Sequence, residues 1–431
     1  MDIMLFFPFV FFSYIVIFNY NRRGVDVFTY LVAIYAFSAF SSIFVDAMDL
    51  YKNFDIFKHP LGIVAPLSYC LLIGICLIPY KVFNSSKIST IEVVKNSRYN
   101  KVIWFYFFFF IFMILVSLTR INEIIQMQAM AQLRDNFYHG DADMIWSNYT
   151  GIFRYVVAIS SLLSGSAYIL ILFFFYNLAI LNKPLWFNII TLLGSLNPLI
   201  QSVMIADRSC FIHWTLIFIL CFVLFYKKMP DSARKQFKIF GLILTSIIFM
   251  YIAAVTVSRF GDDVGGDISD VYSSIVYYTG SSYIQYCNFF NVLDYNSPFS
   301  LAPLFPLTYW LNGWPGYFEQ SEIVEAVYHH GVSNFSTFLG MILSMSGRIV
   351  MCLFVLVYYT VSRIMLYRKD ITYLSVRKMI YFFIVVLIVN NGLFGYFYMQ
   401  YSSTCIIAVW FMLAVYLSSK RTHSEKVTKI Q

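Results

Sequence analysis

Apolar runs long enough to cross a bilayer recur from one end of this chain to the other and leave little sequence over for anything else. A membrane helix needs about 20 predominantly apolar residues. Hydropathy read together with charge gives eleven such segments: 4–20, 25–45, 61–80, 102–119, 155–181, 185–206, 210–226, 239–257, 349–367, 379–399 and 404–417. With 60% of 431 residues apolar, 12% charged, and Phe and Tyr filling 46 and 34 positions, a bilayer rather than water is the expected solvent. The fold class that follows is all-α, a polytopic transmembrane helical protein forming a single domain over residues 1–431. The first run lacks a basic leader and a small-residue cleavage site, so it is expected to persist as a helix.

The connections between these runs alternate in sign. One set carries Arg22 and Arg23; Lys81, Lys87, Lys95, Arg98 and Lys101; Lys183; Lys227, Lys228, Arg234, Lys235 and Lys238; Arg368, Lys369, Arg377 and Lys378; and the tail from Lys420. By the positive-inside bias that set is cytoplasmic. With Arg363 placed on the same side it holds 22 Lys and Arg against 5 Asp and Glu, and the outer set 8 against 17, which exhausts the 30 and 22 of the whole chain. The N-terminus is therefore expected outside and the C-terminus in the cytoplasm. The net charge of +8 is accounted for by these loops, so nucleic acid is not an expected partner.

Two long outer loops stand out, 120–154 and a larger one over 258–348 that would carry short interfacial helices, and long connections of this kind usually carry function. Phe335 to Met345 is itself apolar, but a membrane helix begun there would bury Arg348 at mid-depth, at about 2.5 kcal/mol or more. The helix is therefore expected to begin at Arg348, and 335–345 to lie at the interface. Of the seven cysteines only Cys287 falls in a long outer loop, so no outer intramolecular disulfide is expected. The six histidines show no metal-ligand spacing, and neither a metal nor a cofactor is called for.

Beyond Lys52 and Lys58, every outer cation is arginine: Arg120, Arg134, Arg154, Arg208, Arg259 and Arg348. A planar, permanently charged fork suits bidentate binding of phosphate or carboxylate, whereas general solubility is served as well by lysine. Pairing with Asp135, Asp207 or Asp262, or reaching for lipid headgroups, accounts for any single one of them equally well. Arg208 opens a helix in Ala-Asp-Arg-Ser-Cys, where backbone amides and guanidinium would face one anion together. Arg259 closes the preceding outward helix, and the two could share one diphosphate. His329 and His330 are adjacent, and either is a candidate general base toward a sugar hydroxyl. Glu319, Glu322 and Glu325 recur every three residues and would form an acidic stripe on a helix. Asp262, Asp263, Asp267 and Asp270 fit no calcium-loop spacing. Tyr277, Tyr278, Tyr283, Tyr286, Trp310, Trp314 and Tyr317 could stack on sugar rings, or serve as an interfacial aromatic belt. Asn197, Pro198 and Gln201 interrupt the sixth run and Asn390, Asn391 and Gly392 the tenth, so these helices are expected to face protein or a cavity.

This layout resembles the O-antigen or oligosaccharide repeat-unit polymerase family, the Wzy type, over nearly the whole chain. The likeness rests on some eleven helices, the arginine in Ile-Ala-Asp-Arg-Ser-Cys, and the second arginine closing the next outward helix. It rests also on a large outer loop beginning near Tyr-Tyr-Thr-Gly and on Ser-Asn-Phe-Ser-Thr-Phe-Leu-Gly followed by a glycine-led helix at Gly347, which looks like a segment that re-enters the membrane. Where such polymerases often carry an acidic residue near the start of this helix, this chain has Ser-Met-Ser-Gly-Arg.

The resemblance implies a bacterial inner-membrane enzyme that polymerises oligosaccharides carried on undecaprenyl diphosphate, by an inverting and metal-independent transfer. Besides that substrate and membrane lipid, a chain-length regulator protein is the partner it implies. Arg208 and Arg259 would hold the diphosphate, His330 or His329 would take the acceptor proton, and Arg348, Arg120 and Arg134 would add charge, with Tyr278 and Glu325 contacting substrate. An O-antigen ligase, with a lipid A core acceptor, and a flippase or other transporter are the alternatives. A transporter calls for internal repeats and polar residues at mid-depth, whereas here the polar residues gather outside.

Overall fold

The computed structural model of the chain describes residues 2–50, 61–126, 163–204, 209–231, 268–292, 300–315, 336–399 and 401–418, with a few single positions between 155 and 246. Among these residues six helices are long and apolar enough to cross a membrane: Ile3–Arg23, Val27–Ala47, Val64–Lys87, Ser97–Leu118, Ser209–Lys228 and Phe338–Leu366. Gly165–Leu181 and Ser402–Leu417 are shorter apolar helices, and the expected run 239–257 lies outside the described residues. The chain is a membrane-embedded helical protein. Two compact units interleave along the chain.

The first unit holds residues 1–92 and 273–404. It begins with α1 (Phe6–Arg23), α2 (Val27–Ala47) and α3 (Val64–Phe83). Asp26 starts α2 by accepting from the Thr29 backbone N–H at 2.8 Å, and Gly24, at φ 69°, gives the left-handed turn that ends α1. Rings seal the three helices: Phe12 packs on Tyr35 at 6.0 Å and on Tyr69 at 6.1 Å between centroids. The unit also contains β1 (Thr90–Ile91), most of α9 (Ile268–Val292) and α10 (Pro306–Leu311). It is completed by α11 (Phe338–Leu366), β2 (Tyr373–Leu374) and α12 (Val376–Asn390), and β1 and β2 pair in parallel with Thr90 opposite Tyr373.

One end of this unit gathers cations onto helix C-termini. Arg23 donates to the Lys81 carbonyl at 2.9 Å, Arg368 to the Phe83 carbonyl, and Lys378 to the Met365 carbonyl at 2.8 Å. Such residues satisfy carbonyls that a helix end leaves without partners, and they sit at the negative pole of its dipole. At the same end Glu92 accepts from the first N–H of α12 at 3.0 Å, and the Ser85 hydroxyl accepts from Val27 N–H at 3.1 Å. The residues that the sequence assigns to the cytoplasm thus have a second task, closing the helices there.

The second unit holds residues 93–272 and 405–425. Its described helices are α4 (Asn96–Gln126), α5 (Ile169–Tyr176), α6 (Leu185–Gly194), α7 (Asn197–Met204), α8 (Ser209–Phe225) and, from Cys405, α13 (Tyr401–Leu417). All eight residues of α5 are buried, as an all-round apolar helix requires. The turn that follows is a π-helix, Asn177–Leu181, which brings the Asn177 amide between Tyr99 OH at 2.7 Å and Thr191 Oγ1 at 3.1 Å. The expected interruption near Asn197 is present: α6 ends at Gly194, α7 starts at Asn197, and Asn197 Nδ2 donates to the Gly194 carbonyl at 2.9 Å. In this unit too, basic residues cap helix ends, Arg98 donating to the Tyr416 carbonyl at 3.1 Å and Arg234 to the Tyr226 carbonyl at 2.8 Å.

Four expectations change. Arg120 does not open a loop, because α4 continues through it to Gln126. Residues 273–292, expected in the outer loop, form the body of α9 and pack against α2 and α3 inside the first unit. Tyr69 lies 4.9 Å from Tyr283 and 5.2 Å from Tyr286, and the Ser38 hydroxyl donates to the Thr279 carbonyl at 2.9 Å. Cys287 is accordingly buried in α9 rather than placed in a loop. Finally, residues 338–346 form a helix as expected, broken from the next by Gly347 at φ 79° and ψ 174°. All nine are buried in protein instead of resting one face on the interface.

Candidate functional site

Of the sequence-derived site residues, Arg208, Arg259, His329, His330, Arg134 and Glu325 lie outside the described residues. Arg120 sits on α4. Arg348 and Tyr278 are described together with their surroundings, and the site is built here from them.

Gly347 takes a backbone conformation that side chains disfavour, and this lets the chain turn so that Arg348 begins the second half of α11. The guanidinium donates through Nη2 to the Phe290 carbonyl near the end of α9 and lies 4.5 Å above the centre of the Phe290 ring. The ring in turn leans on Tyr286 at 6.0 Å, whose hydroxyl pairs with Ser68 of α3 at 2.9 Å. Behind Arg348 the Ser346 hydroxyl donates to the Ser300 carbonyl, and Ser300 N–H donates to the Met345 carbonyl at 3.0 Å. Arg348 is half-buried, held by stacking and by a charge-assisted hydrogen bond.

Around it lies the end of the first unit opposite the basic caps. Asn291 Nδ2 donates to the Leu61 carbonyl at 3.1 Å, Leu61 N–H to Asp2 at 3.3 Å, and Asp2 N–H to Asp46 at 3.1 Å. Among the described residues of this unit, Arg348 is the one Lys or Arg at this end, and Asp2 and Asp46 are carboxylates of the same end. A guanidinium there, at the positive N-terminal pole of a long half-helix, can attract an anion.

Tyr278 is half-buried on α9, edge-on to Tyr277 at 6.0 Å. It is twelve residues from Phe290, so about 18 Å along the helix axis from the Arg348 contact. The two do not share a site. Tyr277, Tyr283 and Tyr286 are buried against neighbouring helices and cannot stack on a sugar, whereas Trp310 and Trp314, 58% and 53% exposed, remain available.

The polar residues that interrupt the tenth run face protein, as expected. Asn390 ends α12, Asn391 caps it, and Gly392 follows, while residues 338–346 begin beside them through a bond from Phe338 N–H to the Gly392 carbonyl at 2.8 Å. The Asn-Asn-Gly interruption marked one of these stretches, but nothing in the string paired it with Ser336 and Thr337. Outside the spanning segments, Arg368 is pulled below the ordinary guanidinium value by burial, with Asp370 opposing. Asp370 is pulled below the ordinary carboxylate value by hydrogen bonds from the Thr372 hydroxyl and backbone N–H. No protein-family model, curated protein or solved structure matches this chain.

Proposed function

We propose that the chain is a polymerase joining undecaprenyl-diphosphate-linked oligosaccharide repeat units into O-antigen, or a related surface polysaccharide, at the periplasmic face of a bacterial inner membrane. In this reading the N-terminus is periplasmic and the C-terminus cytoplasmic. The observation that carries it is the charge pattern: basic residues gathered on one set of connections, and on the other a series of cations that are all arginine beyond Lys58. The C-terminal capping by Arg23, Arg368 and Lys378, with Arg348 at the opposite end of the same unit, supports the two-sided arrangement.

The reaction is an inverting, metal-independent glycosyl transfer. The acceptor hydroxyl attacks the anomeric carbon, the bond from that carbon to the diphosphate oxygen breaks, and the proton passes to His330 or His329. Arg208 and Arg259 neutralise the charge that grows on the leaving diphosphate, with Arg348, Arg120 and Arg134 in support. The test is deletion of the gene in a strain that makes lipopolysaccharide, followed by gel analysis. Core bearing a single repeat is the expected product, and a persisting ladder refutes the proposal. Replacing Arg208 or Arg259 by lysine abolishes chain extension at unchanged protein level, because a point charge cannot reproduce the fork. Normal ladders from both variants remove their assigned role.

A flippase or transporter is the second reading, favoured by the break of α12 at Asn390 beside the broken α11. Bare core in the deletion strain supports it, or a ligase, over the polymerase.

A further inference from the structure

We propose that the junction of two helix ends in the first unit, where the start of α11 at residues 336–338 abuts the end of α12 at residues 390–392, is a binding site for a neutral hydroxyl group, carried by water or by a sugar. The two stretches are joined by Phe338 N–H donating to the Gly392 carbonyl at 2.8 Å. Gly392 permits the approach, since a Cβ there would lie 2.5 Å from the Phe338 ring. Residues 338–346 form a nine-residue helix whose first turn starts at this point, with the Thr337 hydroxyl accepting from Gly340 N–H at 3.1 Å.

Three side chains at the junction are fully buried and hold polar atoms without partners: Asn390 Oδ1, Asn391 Nδ2 and Ser336 Oγ. The two amides bond to each other once, Asn390 Nδ2 to Asn391 Oδ1 at 2.8 Å. Exchanging O and N in both side chains changes which residue offers which group, yet it always leaves one amide carbonyl and one amide NH2 open. An ion of either sign satisfies only half of that pair. A hydroxyl satisfies both, donating to the carbonyl and accepting from the NH2, and Ser336 can supply a third bond, which matches the usual coordination of a buried water.

The depth makes the requirement strict. Tyr35, near the middle of α2, donates to the Val389 carbonyl at 2.8 Å, so the break sits about halfway along a membrane-length helix. Irregular backbone at that level persists only where protein or a polar guest satisfies it. The inference does not depend on the proposed polymerase activity.

The test is a cryo-electron microscopy map of the full chain in lipid nanodiscs, fine enough to show ordered water, recorded without saccharide and again with added glucose. Density within hydrogen-bond range of both Asn390 and Asn391 amides is expected. An isolated peak without saccharide assigns it to water, and a peak seen only with glucose assigns it to a sugar hydroxyl. Both amides engaged by protein groups alone, with no density in either map, overturns the proposal.

Discussion

Replacing Gly280 by alanine should break the first unit open along the contact of α9 with α2. An added Cβ would sit 2.5 Å from the Ser41 carbonyl carbon and 2.6 Å from the Ser41 oxygen and the Ser42 nitrogen, all backbone atoms that no rotamer change can move. Restoring ordinary contact requires the helices to separate by about 1 Å, which stretches the Ser38–Thr279 bond from 2.9 Å past hydrogen-bond range. Overpacking costs about 1–3 kcal/mol and the lost bond about 0.5–1.5, against a gain of about 0.5–1 from removing glycine from a helix. The net loss is roughly 0.5–4 kcal/mol. Thermal unfolding of the purified chain in detergent, followed by tryptophan fluorescence, reads it. Gly74→Ala in α3 is the control, because a Cβ there meets nothing within 4 Å and should leave stability equal or raised. Gly194→Ala should fall between them, since the 2.6 Å clash is with the flexible end of Leu170. If Gly280→Ala melts together with Gly74→Ala, the close packing of α9 on α2 is wrong.

Asp26→Ala should cost about 1–3 kcal/mol in the same assay, because it removes the cap of α2 and one of the two acceptors of the buried Asn19 amide, which donates to Asp26 at 3.2 Å and to the Thr29 hydroxyl at 2.5 Å. Asp26→Asn keeps an acceptor and should recover most of that loss; equal melting of the two variants would count against the cap. Arg348→Lys should lose about 1 kcal/mol through the missing stack on Phe290, and an unchanged melt would show that the fork is dispensable there. For Asp370, hydrogen bonds from Thr372 depress the carboxyl below its ordinary 3.8, so its contribution is fully present above that value and fades as pH falls through the lower, folded one. Protection of the 367–375 turn, taken as hydrogen exchange relative to the intrinsic amide rate at each pH, should therefore weaken below about pH 4 in the wild type and stay constant in Asp370→Asn; the same loss of protection in both would refute the assignment.

Much of the helical layout was legible because lipid-facing helices advertise themselves. The segments at 4–20, 25–45, 61–80 and 210–226 recur as helices with ends shifted by a few residues, and the breaks at Asn197 and Asn390 fall where polar residues interrupt an apolar run. Arg348 was legible as a helix start for an energetic reason, the cost of an arginine at mid-depth, and Gly347 supplies the turn that the argument required. The site residues around it were not, since Phe290 reaches Arg348 from 58 residues away and Ser300 reaches the preceding Ser346 from 46. A single sequence carries the chemistry of each group but not the contact.

The failure over α9 has a specific cause. Hydropathy detects a helix by what it shows to lipid, and α9 turns Ser281, Ser282, Gln285 and Asn288 into the protein, all buried, so its average polarity is that of a loop. Its direction is nevertheless fixed by two contacts: Asn291 meets Leu61 at the start of α3, and Thr279 meets Ser38, nine residues before the end of α2. The helix therefore runs parallel to α2 and descends about 18 Å from Asn291 to Thr279, more than half of a hydrocarbon core. The Tyr-Tyr-Thr-Gly string lies on that descending stretch. Its glycine packs against α2 and its threonine carbonyl accepts a hydrogen bond from Ser38, so at these two positions the string serves helix packing.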